Sequence, residues 1–234
     1  KKVPVTVSFK YTPGRGEDSE FITVWYISSD GGIIPVTNAR YNAATGYITF
    51  TTTHFSKFAV VYVKKTFNDL DGYEWAKHDI EVMASKGIIS GTSHDTYNPS
   101  ANITRADFLS LLIRTLDLQT DFTDNFADVS EKEYYYNAVG IAKELGIVSG
   151  VGRGNFEPTA NITRQDMMVM TAKALRLAKG LKSASEDILE SFTDANKVSD
   201  YAKSSVADLI AAGLIKGSEN RINPLDYTSR AEAA

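Results

Sequence analysis

Three arginines occupy the same place in a repeated phrase, in a setting that can bind an anion. The phrase reads NPSANITRAD, then EPTANITRQD, then NPLDYTSRAE, and its arginines are Arg105, Arg164 and Arg230. A Thr or Ser precedes each arginine and an acid follows two residues later, which is the pattern of a helix N-terminal capping box. The predicted cap residues are Thr104, Thr163 and Ser229. Each arginine therefore takes the first position of a helix, where the helix dipole opposes a cation by about 0.3–1 kcal/mol.

A cation recurs at an unfavourable position, and this needs an explanation. The residues are compatible with two explanations. In the first, the guanidinium and the free N–H groups of the helix start converge on an acidic group of a ligand. In the second, the arginine pairs with an acid, or packs its stem, in a neighbouring repeat. Under the first hypothesis, replacing Arg105 or Arg164 by alanine weakens binding and leaves the stability of the fold nearly unchanged.

Composition narrows the classes of partner. The 234 residues carry a net charge of −4, and because phosphate binding needs a basic surface, nucleic acid is not expected as a partner. No apolar run approaches the ~18 residues of a membrane span, and the lack of cysteine excludes disulfides and thiolate zinc sites. The sequence stops at Ala234 inside a helix-start phrase, so we expect it to be part of a longer protein.

The first 63 residues have the alternation of a β protein. The segment VPVTVSF at 3–9 alternates apolar and polar residues, as a half-buried strand does. Other segments are rich in β-branched and aromatic residues and are separated by turn residues. They lie at 21–27, 33–36, 47–53 and 57–63. We predict an antiparallel, sandwich-like, all-β module over 1–63, followed by a short polar hinge at 64–66.

From residue 67 the chain repeats a helical pattern at a spacing of 59 and then about 66 residues. Each repeat opens with Phe-x-Asp, enters an apolar helix led by Trp75, Tyr134 or Tyr201, and reaches a glycine suited to a helix C-terminus. Those glycines are Gly87, Gly146 and Gly213. A second glycine follows four residues later, and the arginine phrase then starts a second apolar helix. Self-similarity at this period predicts repeats that bury apolar faces against one another. The predicted units are 67–120, 121–180 and a truncated 181–234.

The turns GIISG, GIVSG and GLIKG, together with Phe-x-Asp and the arginine phrases, resemble those of S-layer homology (SLH) domains. The likeness covers residues 67–234. It implies a mainly α repeat domain in which three SLH units surround a pseudo-three-fold axis, with the second helices, at about 104–117 and 163–178, side by side in a central bundle. It also implies a module that anchors exported proteins of Gram-positive-type bacteria to the cell wall by binding a secondary cell-wall polymer non-covalently. That polymer often carries acidic pyruvyl-ketal sugars.

The same resemblance implies ligand grooves between neighbouring units. The implied contacts are Arg105, Arg164 and Arg230, then Ser90, Ser149 and Lys216 before the second glycine, and the backbone near Gly87, Gly146 and Gly213. The third unit departs from the pattern, because it has Lys216 in place of serine and stops at the start of its second helix.

The residues predict neither catalysis nor a cofactor. His54, His78 and His94 are scattered without metal-ligand spacing, and no nucleophile, base and orienting group occur together. We expect no metal site. The remaining candidates for sugar contact are aromatic: Tyr134 is predicted to lie in the core, and Tyr135 or Tyr136 to be exposed and able to stack on a sugar.

The sequence therefore predicts an extracellular module of the cell wall or S-layer that binds a secondary cell-wall polysaccharide through arginine-containing grooves. Two alternatives stay open. One is a module that assembles a surface lattice or a partner complex, with the arginines in ion pairs between units. The other is an appendage of a surface glycoside hydrolase whose catalytic domain lies outside this sequence.

Overall fold

The computed structural model describes residues 3–234. The chain divides into two compact units, one over Lys1–Ser100 together with Ala234 and the other over Ala101–Ala233. The division falls inside the predicted repeat 67–120, so the first unit holds the β module and the first helix. Within the described residues, no helix has both the length and the apolar character needed to cross a membrane.

The β module consists of two three-stranded antiparallel sheets, as the period-two pattern predicted. One sheet has the order β1-β5-β4 and the other β3-β2-β6. The strands are β1 (Val5–Lys10), β2 (Ile22–Ile27), β3 (Ile33–Pro35), β4 (Arg40–Asn42), β5 (Tyr47–Thr52) and β6 (Lys57–Tyr62). Their shared core contains Ile22, Val24, Ala39, Ile48 and Phe50. Burial of alternate residues from both sheets explains why each strand has an apolar face.

Strand β1 differs from the half-buried strand that its alternation predicts. It pairs with β5 alone, so it is an edge strand. Val5 and Phe9 are 39% and 36% exposed, and Val7 is only partly buried. The pattern correctly gave the strand, but the position of a strand within a sheet depends on partners that a local pattern does not contain.

The first helix, α1 (Glu74–Ser85), belongs to the same compact unit as the β sheets. His78 on α1 and Glu20 form a pair with a Nε2–Oε2 distance of 2.6 Å, and the ring of Phe21 meets the His78 ring edge-on at 5.7 Å. The backbone N–H of Lys65 donates to Ser85 Oγ at 2.8 Å. These contacts fix α1 against the β module.

We expect the His78–Glu20 pair to give this unit a pH-dependent stability. The hydrogen bond that the protonated His78 ring donates to the Glu20 carboxylate raises the pKa of His78 above its usual 6.5. Because the pKa of His78 is higher in the folded state, the pair stabilises the protein fully at a pH below the pKa of the unfolded state. This stabilisation is lost as the pH rises through the pKa of the folded state. NMR titration of the His78 ring should give a lower pKa in Glu20→Gln, and the melting temperature of that variant should fall less between about pH 6 and about pH 8. Identical titration curves in the two proteins would contradict this expectation.

The second compact unit is helical. Its helices are α2 (Arg105–Thr115), α3 (Tyr136–Glu144), α4 (Arg164–Lys179), α5 (Asp200–Ala211) and the short α6 (Arg230–Ala233), with 3₁₀ turns at Glu186–Ser191 and Ala195–Lys197. The first helix of each repeat ends before a glycine in the left-handed region, as predicted. The φ angles are 70° at Gly87, 70° at Gly146 and 71° at Gly213.

Helices α2 and α4 contact each other and share one apolar core, as their apolar content predicted. Phe108 and Leu112 of α2 and Met167 and Met170 of α4 are all buried there. Neither helix could shield these side chains alone, so the repeats depend on one another for their stability.

The prediction for the tyrosines at the start of α3 is wrong. Tyr134 is 64% exposed, whereas Tyr135 is 7% exposed and lies in the core. Tyr136 is partly buried against the same core. Helix α3 begins two residues later than the pattern predicted, at Tyr136, and Tyr135 rather than Tyr134 points inward.

A closed ring of three backbone hydrogen bonds joins the three arginine phrases. The N–H of Ile103 donates to the carbonyl of Thr228 (2.9 Å), Thr228 donates to Ile162 (3.0 Å), and Ile162 donates to Ile103 (3.1 Å). These three residues hold the same place in the phrase, immediately before the helix cap. The ring brings the starts of α2, α4 and α6 together.

Candidate functional site

Thr104 and Thr163 cap the helices that carry the two complete arginine phrases. The side chain of Thr104 accepts a hydrogen bond from the N–H of Asp107, and that of Thr163 accepts one from Asp166. Ser229 Oγ accepts from Glu232 N at 3.2 Å, and the Glu232 carboxylate accepts from Ser229 N at 2.8 Å. Local sequence is sufficient to specify these caps, because every partner lies within three residues.

The first free N–H groups of these helices are used by the protein itself. Arg105 N donates to the carbonyl of Ala160 and Ala106 N to that of Pro158, at 2.9 and 3.0 Å. At the start of α4, Arg164 N donates to Asp226 and Gln165 N to Pro224, both at 2.9 Å. The expectation that free helix N–H groups bind an anion is therefore wrong, because carbonyls of the next repeat already accept from them.

Arg105 reaches from α2 into the second repeat. Its Nε donates to the carbonyl of Phe156 at 3.0 Å, and its Nη1 lies 3.0 Å from Asp166 Oδ2. The guanidinium also lies over the Phe156 ring, 5.0 Å from the centroid. With the side chain only 9% exposed, Arg105 is an interior group that joins two repeats.

Arg164 repeats this arrangement one unit later. Its Nε donates to the carbonyl of Ile222 at 3.0 Å, and its Nη1 lies 2.7 Å from Glu232 Oε1. The sequence left open, as an alternative, that the arginines form ion pairs between repeats. Such ion pairs are present at both Arg105 and Arg164. They offset the unfavourable dipole, because each guanidinium has a carboxylate partner within hydrogen-bond distance.

The aspartate of Phe-x-Asp positions the carbonyls that Arg105 and Arg164 use. Asp128 accepts hydrogen bonds from the N–H groups of Phe156 (2.9 Å) and Glu157 (2.8 Å), and Glu157 has a φ of 57°. Asp69 and Asp194 accept from the equivalent pairs of N–H groups. In the sequence this aspartate is recognisable only as a marker of the repeat, because its partners lie 28 and 29 residues away.

Asp166 is a junction between three repeats. Its Oδ2 pairs with Arg105 of the first repeat, and its Oδ1 accepts a hydrogen bond from the hydroxyl of Tyr201 of the third, at 2.7 Å. Burial, followed by this hydrogen bond, raises the pKa of Tyr201 to about 12, so the phenol stays protonated at neutral pH. Tyr134 donates to Asp107 in the same way. In the second and third repeats, the tyrosine that leads the first helix thus has its ring held at the surface by its hydroxyl.

These groups border a cavity of about 410 Å³, which we call the Arg105 cavity. Its walls come from α2, from the Gly-Ile-Val-Ser-Gly turn, from one face of α4 and from the start of α5. The lining residues are Arg105, Ile147, Val148, Ser149, Gly150, Val151, Asp166, Val169, Met170, Lys173 and Tyr201. It is an open groove that combines charged, hydroxyl, aromatic and apolar groups, which is the mixture that small-ligand sites contain.

Only part of the predicted site comes together in this cavity. Arg105 and Ser149 line the cavity. The other predicted site residues of the second compact unit do not line it. Those positions are Gly146, Arg164, Gly213, Lys216 and Arg230. Gly87 and Ser90 belong to the other compact unit.

The sequence prediction missed Asp166, Lys173 and Tyr201 as groove residues. Asp166, Met170 and Lys173 are spaced at i, i+4 and i+7, so one stripe of α4 carries two charges and an apolar residue. This interruption of an apolar stripe by charge was the available signal.

Comparison with known proteins supports the same division into repeats. The model of the S-layer homology domain family matches residues 66–109, 125–168 and 191–234, which together exceed half of the chain. The chain belongs to the S-layer homology (SLH) domain family. Membership of this family makes it a cell-surface anchoring module, located outside the cell in association with the cell wall or the S-layer.

Similar proteins include enzymes and surface-layer proteins. An amylopullulanase of Thermoanaerobacterium thermosulfurigenes is 33% identical over all of this chain and 12% of its own length. Exoglucanase XynX of Acetivibrio thermocellus is 36% identical over 72% of this chain and 16% of the enzyme. The surface-layer 125 kDa protein of Lysinibacillus sphaericus is 33% identical over 65% of this chain and 12% of that protein. The chain thus spans less than a fifth of each of these relatives.

Proposed function

We propose that the Arg105 cavity binds an acidic saccharide of a secondary cell-wall polymer, and that this binding attaches the chain to the wall without a covalent bond. The observation that carries the proposal is the meeting of three repeats in one open groove. Arg105 comes from the first, Ser149 from the second and Tyr201 from the third. A groove that forms only when the repeats are assembled suits a module whose function is binding.

The chemistry of the groove matches a sugar that bears a carboxylate. Tyr201 is 60% exposed and is held by its hydroxyl, so its ring offers a fixed aromatic face on which a sugar ring can stack. Ser149 supplies a hydroxyl at the surface, and Val148, Val169 and Met170 supply an apolar wall. A pyruvyl ketal presents a methyl group beside a carboxylate, and the groove has an apolar wall beside cationic groups. A pyruvylated sugar is therefore the ligand that we propose.

The other predicted contacts are proposed as the equivalents of this groove in a pseudo-three-fold arrangement. The ring of hydrogen bonds through Ile103, Ile162 and Thr228 supports such symmetry, because each repeat contributes the same backbone position. An equivalent groove would use Arg164 with Lys216 and Gly213. Their shared register in the sequence supports this assignment.

The arginine ion pairs do not favour lattice assembly over wall binding. Both Arg105–Asp166 and Arg164–Glu232 lie within one chain, so they stabilise the module and leave contacts between molecules unspecified. Relatives that are named as glycoside hydrolases support the proposal that the module can serve as the anchoring appendage of such an enzyme.

Co-sedimentation with cell-wall sacculi tests the proposed function. Purified chain should sediment with sacculi that retain their secondary polymer and should stay in the supernatant after the polymer is stripped by acid. Free polymer fragments added in excess should release the bound chain. Sedimentation that survives stripping would instead indicate binding to peptidoglycan or self-assembly, and a control without sacculi separates those two outcomes.

A further inference from the structure

Arg105 is not a free cation in the Arg105 cavity, because it already pairs with Asp166. Three charged residues line the cavity: Arg105, Asp166 and Lys173. Arg105 and Asp166 pair at 3.0 Å, and both are largely withdrawn from solvent, with side-chain exposures of 9% and 28%. A carboxylate that approached Arg105 would meet the charge of Asp166 beside it, so the pair acts as a neutral hydrogen-bonding group.

Lys173 is the charge that remains. It lies on α4, two turns after Asp166 and on the same face, and it is partly exposed at the cavity wall. Among the described residues it has no ion-pair or hydrogen-bond partner. An ammonium on a flexible stem can adjust its position to an incoming anion, whereas the guanidinium of Arg105 is fixed by Phe156 and Asp166.

The repeat itself keeps a cation at this place. Lys173 follows Arg164 by nine residues on α4, and Arg114 follows Arg105 by nine residues on α2. Arg114 is exposed, and Lys173 is partly exposed. Neither cation belongs to the apolar core, so the core does not explain a cation at the same register of both complete second helices.

We propose that Lys173 is the specificity-determining residue of this groove and binds the carboxylate of the saccharide, while Arg105 is a positioning residue that holds the groove together. The inference rests on the proposed function, because it assumes that the groove takes an acidic sugar. The cavity carries a net charge of +1, from two cations and one anion, and this matches a ligand with one carboxylate. Neutral sugars of the same shape should bind through Tyr201 and Ser149 alone and more weakly.

Two defined probes separate charge recognition from shape recognition. One is a methyl hexopyranoside that carries a 4,6-O-pyruvyl ketal, and the other is the methyl ester of the same ketal, which has no charge. Binding is followed by NMR through the backbone amides of Ser149 and Gly150. These amides report this cavity even if other grooves also bind the probe. The protein is the full chain, as the wild type and as Lys173→Gln, with Lys179→Gln as a control on the same helix.

In the wild type, the free acid should bind at least about ten-fold more tightly than the ester. Lys173→Gln should lose that difference, so that its affinity for the acid falls about ten-fold or more and its affinity for the ester stays the same. Lys179 is exposed and does not line the cavity, so Lys179→Gln should behave as the wild type does. Lys173→Arg should restore most of the preference for the acid. Melting temperatures of all variants should agree, which excludes unfolding as the cause.

The outcomes distinguish this inference from the proposed function. If the wild type prefers the acid and Lys173→Gln keeps that preference, Lys173 is not the carboxylate-binding residue, although wall binding stands. If the wild type sediments with sacculi but binds acid and ester equally, the groove does not recognise charge and the inference falls. If the wild type does not sediment with sacculi, the proposed function itself fails, and the inference fails with it.

Discussion

Replacing Arg105 by alanine is expected to lower the free energy of unfolding by about 2–3 kcal/mol, which reverses the small effect that the sequence predicted. The change removes the ion pair to Asp166 and leaves the Phe156 carbonyl without its donor. Breaking a fully buried pair from one side costs about 3–5 kcal/mol, and the partial exposure of Asp166 reduces that figure. Urea denaturation followed by circular dichroism would measure the loss.

Two further variants show whether the loss comes from the ion pair. Arg114→Ala removes the same charge from an exposed position of α2 and should change stability by less than about 0.5 kcal/mol. Arg105→Ala combined with Asp166→Asn no longer leaves a partly buried carboxylate unpaired, so it should be more stable than Arg105→Ala alone. If Arg105→Ala were as stable as Arg114→Ala, the Arg105–Asp166 contact would have no structural importance.

The elements of the repeats could be predicted because their determinants are local. A Thr or Ser with an acid three residues later is enough to specify the start of α2 or α4, and a glycine is enough to end the helix before it. Gly146 reaches a φ of 70° for the same reason as Gly87, since a residue without Cβ adopts the left-handed conformation without strain. The pattern also occurs three times, so a wrong prediction in one repeat could be recognised by comparison with the other two.

The chemistry of the site could not be predicted to the same extent because it depends on distant neighbours. The N–H groups of Arg105 and Ala106 look free in a sequence, but the carbonyls that accept from them lie more than 50 residues away, at Ala160 and Pro158. The same distance conceals the ion pair of Arg105 with Asp166. The rule that cations avoid helix starts was sound, but it covers one helix at a time.

The error at Tyr134 has a similar origin. Three consecutive tyrosines give no period from which to choose the inward one, and the choice follows from a hydroxyl that needs a partner. Tyr134 finds that partner in Asp107, in the preceding repeat, and therefore lies at the surface. Lys173 was missed because a lysine on a helix with other charged residues is ordinary in a sequence, and its lack of a partner among the described residues appears only in three dimensions.

Replacing Gly150 by alanine should destabilise the second compact unit by about 3 kcal/mol or more. Gly150 has a φ of 78°, and an added Cβ would lie 2.5 Å from the carbonyl oxygen of Asn155 and 2.7 Å from Cε1 of Phe126. The backbone angle alone costs about 1–2 kcal/mol, and the overlap adds about 1–3 kcal/mol because backbone cannot move aside easily. This close approach explains why Phe-x-Asp and the second glycine occur together: the phenylalanine ring of each repeat covers that glycine. Gly91 and Gly217 have the same kind of neighbour, in Phe67 and Phe192.

Gly146→Ala is the matched control for Gly150→Ala, since it lies four residues earlier in the same turn. Its φ of 70° imposes the same strain on alanine, but no heavy atom lies within 4 Å of the added Cβ. Urea denaturation should therefore give a loss of about 1–2 kcal/mol for Gly146→Ala, and the difference between the two variants should equal the effect of the overlap. Equal losses would mean that the ring of Phe126 and the Asn155 carbonyl can move away, and that the second glycine is required only for its backbone angle. A larger loss at Gly150, accompanied by shifted amide signals at Ser149, would show that the close approach also sets the wall of the Arg105 cavity.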